Sequence, residues 1–102
     1  MLSIKQAADL IGADVKTIES RAAGGQLILL MNDRRQGRLP VWQFDQSLLA
    51  VLPSIAKALQ SADGWALLNF MEPAQEALGG RTPRQATEQG DAERVLKIAG
   101  HD

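Results

Sequence analysis

Apolar and polar positions follow one another in short, punctuated blocks along this chain. Ile4, Ala7, Ala8 and Ile11 recur at helical spacing and predict a first helix, stopped at Gly12. Ser3 and Gln6 stand three apart before that stripe, the spacing at which hydroxyl and amide cap each other's backbone. Asp14 opens a second helix whose buried stripe is Val15, Ile18 and Ala22, and Gly24-Gly25 close it. The pattern then changes. Leu27–Met31 is a short apolar run, Asn32–Gly37 a turn cluster, and Leu39–Phe44 is rich in strand formers. That order predicts a hairpin with a basic tip. Pro40 lacks a ladder donor, so the second strand is expected at an edge.

Beyond residue 45 the period is helical again. Leu48, Leu52, Ile55 and Leu59 form a stripe that runs across Pro53, either as one kinked helix or as two in series, with Asp45 as the cap. Asp63 precedes another helical block in which Trp65, Leu68 and Met71 face inward. "PAQEAL" reads as a short helix ended by Gly79-Gly80, and Thr82-Pro83 restart the chain in the order cap, then proline. Gly90-Asp91 end it and are expected to cap a last helix with the stripe Ala92, Val95, Leu96 and Ala99. The expectation is a mainly α protein: a winged helix-turn-helix with a small β-hairpin, followed by a bundle of short helices. Three segments are expected: 1–45, a connecting stretch 46–61, and 62–102, sharing one core.

Composition adds bounds. With 102 residues, 45% hydrophobic and 23% charged, the chain is an ordinary globular length and mixture. Net charge is −1, which by itself says nothing of nucleic acid, but the charge is unevenly placed. Residues 1–44 hold six cations against four acids, +2, and residues 45–102 hold five against eight, −3. The absence of cysteine excludes disulfides and thiolate metal sites and fits a cytoplasmic setting. No apolar run approaches the roughly 20 residues of a membrane span, and no export signal opens the chain.

In a winged helix-turn-helix the second helix enters the major groove and the hairpin lies on the backbone or minor groove. Off the buried stripe of that helix stand Lys16, Thr17, Glu19, Ser20 and Arg21; all but Glu19 suit base edges and phosphates. Arg34, Arg35 and Arg38 surround the hairpin tip and suit phosphates. Glu19 opposes that role, and a helix pair that no longer touches DNA is the competing reading. Two copies on two half-sites would double the phosphate contacts. The spacing of Ala7-Ala8, Gly12, Thr17, Gly25 and Leu27, followed by "RLPVWQF", resembles the MerR/excisionase type of DNA-binding domain over residues 1–45.

The string "WALLNFMEPAQEALGGRTPRQATEQGDAERVLKIAG" resembles the toxin-binding domain of Xre/MbcA/ParS antitoxins. Trp65, Pro73, Leu78, Gly79, Gly80, Arg81, Thr82, Pro83, Gly90, Val95 and Leu96 carry the likeness over residues 62–100, with "LGGRTP" its most specific part. The resemblance implies pairing with a RES-type toxin, an NAD-consuming enzyme, whose active-site cleft the C-terminal part would cover. It also implies repression of the operon by a dimer or larger assembly. The front half departs from the usual longer Xre-like one, and only His101-Asp102 follow Gly100. The residues expected at the toxin are Arg81, Arg94, Lys97, Ile98 and His101. Arg81 also suits a structural fork to a carbonyl or carboxylate at the elbow. Ile98 suits either an interface or the "LLNF" helix of its own chain.

Enzyme readings find little support. His101 is the single histidine, so no Ser/His/Asp set can be assembled, and no phosphate-binding glycine loop follows a strand. Glu72 and Glu76 flank Pro73 near a helix start, where they oppose the helix dipole. Trp42 and Trp65 sit in apolar stretches and are expected in the core. No cofactor or metal is expected.

Overall fold

A computed structural model describes residues 1–100. In chain order the elements are β1 (Leu2–Ser3), α1 (Ile4–Ile11), α2 (Val15–Ala23), β2 (Leu30–Met31) and β3 (Gly37–Leu39). A 3-10 turn over Val41–Phe44 leads into α3 (Gln46–Leu59) and α4 (Gly64–Met71). A second 3-10 turn, Glu76–Leu78, precedes α5 (Pro83–Glu88) and α6 (Ala92–Ala99). The described chain is therefore mainly helical, with one small antiparallel sheet.

Most caps read from the sequence form; the exception is Asp91, which makes no capping bond at α6 because its carboxylate accepts from Arg81. Ser3 Oγ accepts from the Gln6 amide at 3.1 Å, and Gln6 Oε1 accepts from the Ser3 amide at 2.8 Å. Gly12, at φ 67°, ends α1 in the left-handed conformation that glycine reaches without a Cβ clash. Asp45 caps α3 by accepting from the Ser47 amide and hydroxyl. Helix α3 is a single helix with Pro53 inside it. An internal proline costs about 3 kcal/mol. Leu48, Leu52 and Ile55 are all fully buried on its inner face, and burying each is worth about 1.5–3 kcal/mol. The continuous stripe thus outweighs the proline, whose ring lies on the exposed side.

The sheet differs from the expected hairpin. Its order is β1-β3-β2, so β3 is the central strand, and Leu2 and Ser3 pair with Leu39 and Arg38. Pro40 stands one residue past β3, where no ladder donor is needed, so the expectation of an edge strand fails. Trp42 and Phe44 belong to the 3-10 turn rather than a strand. Leu27 and Ile28 are buried without being in a strand. There Gln43, itself fully buried, replaces a ladder partner. Its Oε1 accepts from the Ile28 amide at 2.7 Å, and its Nε2 donates to the Ile28 carbonyl at 2.9 Å. The free edge of β2 is covered by the start of α4, where Trp65 Nε1 donates to the Met31 carbonyl at 3.1 Å. That blunts a strand edge otherwise open to pairing.

Two apolar clusters make up the core. One joins Ala7, Ala8, Ile18, Ala22, Leu27 and Leu39, with Phe44 and Leu49 packed on it. The other joins Ile28 and Leu30 to Leu48, Leu52, Ile55, Leu67, Met71, Leu78, Ala86 and Val95. The segment Leu27–Leu30 contributes to both, so the front residues pack into the back half. Gly64 seals that join: a Cβ there would lie 2.1 Å from the Leu29 carbonyl oxygen. The expected stripes hold in their centres and fail at their ends. Val15 is exposed, and Ala92 and Leu96 are half-buried. Trp65, expected in the core, is 47% exposed.

Candidate nucleic-acid and partner interfaces

The outer face of α2 is built from its cap outward. Asp14 Oδ1 accepts from the Thr17 amide at 2.8 Å and the Thr17 hydroxyl at 2.7 Å. The hydroxyl contact comes first in holding the Asp14 carboxyl below its ordinary range. The Thr17 hydroxyl hydrogen is therefore engaged in the cap, and Thr17 is half-buried. Lys16, Ser20 and Arg21 are exposed and share one shallow concave surface with Asp14 and Thr17. Glu19 stands elsewhere. With Ala22 and Ala23 it lines a separate cleft on the adjoining side of α2. Glu19 is thus outside the surface that Lys16 and Arg21 share, but the Asp14 carboxylate is part of it.

The turn between β2 and β3 is held by one side chain. Asn32 Oδ1 accepts from the amides of Arg34 and Gln36, both at 2.9 Å, and the Arg35 amide donates to the Asn32 carbonyl. Arg35 takes φ 59°, a left-handed conformation that costs a non-glycine residue. Its side chain lines the cleft that also holds Glu19. Arg34 is exposed at the tip. Arg38 is exposed on the central strand, opposite Ser3 and Leu30, and one guanidinium nitrogen donates to the Gly37 carbonyl at 2.8 Å. The seven residues expected at DNA are therefore divided. Lys16, Thr17, Ser20 and Arg21 come together, Arg34 stands alone at the tip, and Arg35 and Arg38 have other neighbours. Among the described residues none of these cations is in an ion pair.

The elbow in the back half is a lock around Arg81. Gly79 and Gly80, at φ 68° and 84°, turn the chain into open space. Arg81 Nε donates to the Leu78 carbonyl at 2.8 Å. Its two remaining nitrogens donate to Gln89 Oε1 at 2.9 Å and to Asp91 Oδ2 at 2.7 Å. Arg81 therefore ties the turn before α5 to the turn after it, and its hydrogen bond is the main cause that lowers the Asp91 carboxyl. Thr82 and Gln85 form the reciprocal cap of α5, at 3.0 and 2.9 Å. Along α6, Arg94 and Lys97 are exposed, whereas Ile98 is half-buried and packs on the main core. His101 lies outside the described residues.

One contact had no motif to announce it. The Arg84 guanidinium lies 4.9 Å from the centre of the Trp42 ring and pairs with Glu88 at 3.2 Å. It ties α5 to the turn after β3, so the two halves meet here as well as at Gly64. The i,i+4 spacing of Arg84 and Glu88 was visible in the chain; the Trp42 contact was not. Among the described residues no three metal-ligating side chains converge, and no helix is long and apolar enough to cross a membrane. No family model, curated protein or solved structure matches the chain.

Proposed function

We propose that this chain is an antitoxin that binds and neutralises a RES-type toxin and represses its own operon by DNA binding. The observation that carries the reading is the elbow "LGGRTP", whose Arg81 uses each of its three guanidinium nitrogens to tie the turns before and after α5 together. A blocking module needs a preset surface more than reactive groups, since rigid presentation lowers the ordering cost of binding. Arg94 and Lys97 lie exposed on the helix so fixed, and they are the contacts we assign to the toxin. Arg81, with its donors engaged, serves by positioning that helix. Ile98 supplies core packing and a smaller share of contact.

Support for the DNA-binding part is the clustering of Lys16, Ser20 and Arg21 on α2, in a surface that Glu19 does not line, and the exposed Arg34 at the turn between β2 and β3. A dimer on two half-sites raises the number of phosphate contacts and steepens the salt dependence. The second reading, a MerR/excisionase-like regulator without a toxin, is favoured by the same front-half geometry. Co-purification with the product of the adjacent reading frame, together with gel shifts on the upstream DNA, separates them. A stable complex with a RES-type protein supports the antitoxin. DNA binding with no protein partner favours the regulator.

A further inference from the structure

A knob and a hole lie side by side on one face of the molecule. The knob is Trp65, 47% exposed, with the neighbouring Met31 side chain 42% exposed. Its ring is not free to swing, because Nε1 is bonded to the Met31 carbonyl. A large aromatic held in place and left in water has the form of a binding anchor. The hole is a cleft of ≈ 440 Å³ floored by Ile4, Ala22, Ala23, Leu29 and Ala62. Small side chains on α2 and before α4 keep it open. Met31 and Gly64, which flank Trp65 by hydrogen bond and by sequence, are both in its wall.

The charges on the rim are of both signs. Glu19 and Asp63 stand with Arg35, and none of the three is in an ion pair among the described residues. Asp63 begins α4 but makes no capping bond with its side chain, so its carboxylate stays available. A protrusion, a recess and charges of both signs on one surface are the elements of a self-complementary contact. A two-fold contact requires that property, since each residue i on one copy meets j on the other and the reverse.

We propose that a second copy of this chain docks here, with Trp65 of each copy entering the cleft of the other and Arg35 facing Glu19 and Asp63 across the interface. Lys16, Ser20 and Arg21 line a different surface of α2, so both copies would keep that surface open. This names the surface for the dimer in the function proposed above and rests on that reading only for its purpose. The test uses neither DNA nor toxin, so the two fail separately.

Sedimentation equilibrium of the full chain is the experiment, with circular dichroism as a check of folding. The wild type is expected to dimerise with increasing concentration. Trp65→Ala removes the anchor and should weaken association at least about tenfold. Arg35→Glu alters an exposed side chain, so it tests the same contact without loss of the tryptophan hydrogen bond. It should also weaken the dimer, and Arg35→Glu with Glu19→Arg should restore it. A wild-type chain that stays monomeric up to about 1 mM overturns the proposal. So does a dimer that neither Trp65→Ala nor Arg35→Glu weakens.

Discussion

Gly64→Ala is a substitution for which two physical effects point in opposite directions. Gly64 is the first residue of α4, and alanine in a helix is favoured over glycine by about 0.5–1 kcal/mol. Against that, the added Cβ would meet the Leu29 oxygen at 2.1 Å, its carbonyl carbon at 2.7 Å and its amide nitrogen at 3.0 Å. All three are backbone atoms, so no rotamer change relieves the clash. Overpacking of this kind costs about 1–3 kcal/mol, at times more. Relief requires α4 to back away, which pulls Trp65 from the Met31 carbonyl and forfeits about 0.5–1.5 kcal/mol more. The clash wins, with a net loss of about 0.5–4 kcal/mol, which lowers Tm by about 4–8 °C for each kcal/mol in a domain this size. Gly24→Ala is the control. Its φ is −86° and its nearest contacts are at 3.7 Å, so it should be neutral or stabilise by up to about 1 kcal/mol. Thermal and urea denaturation give both values. A Gly64→Ala midpoint at or above wild type would refute the packing of α4 on the backbone at Leu29.

Other expectations follow from single contacts. Gln43→Ala leaves the buried Ile28 amide and carbonyl without partners and should cost about 2–5 kcal/mol by urea titration. Asp14, Asp45 and Asp91 are all held below 3.8, by Thr17, Ser47 and Arg81 respectively. A carboxyl lowered in the folded state lends stability above its unfolded pKa and loses it as pH falls through the folded value. The urea midpoint should therefore decline below about pH 4, and less steeply in Asp91→Asn. In gel shifts, Arg21→Ala and Arg34→Ala should each reduce affinity on all sequences and lower the salt slope by about 1, while Glu19→Gln changes little.

Much of the local structure was legible because it is fixed by neighbours in the chain. Ser3 with Gln6 and Thr82 with Gln85 act over three residues, and their caps form as the spacing predicts. The Arg81 fork was also legible, as an arginine beside a glycine elbow. What failed was set by partners far along the chain. Leu2 and Ser3 join the sheet only because β3 folds back on them, which moves β3 from edge to centre. Trp65 reads as core from its apolar block, yet its hydrogen bond is to Met31, 34 residues away, and it holds the ring at the surface. Gln43 lies in the stretch expected to form the second strand and is instead the bridge that closes Ile28. The candidate surfaces were legible as residue types, but their grouping was not. Only the folded chain shows that Asp14 shares a surface with Lys16 and Arg21, and only the turn between β2 and β3 brings Arg35 to the same cleft as Glu19.

Toxin neutralisation is tested most directly by growth and intracellular NAD during induction of the adjacent reading frame, proposed here to encode a RES-type toxin. Co-expression of this chain should restore both growth and NAD. Arg94→Glu with Lys97→Glu, which changes two exposed residues of α6, should restore neither while the protein remains folded. Full toxicity and NAD loss in the presence of the folded wild-type chain would contradict the account.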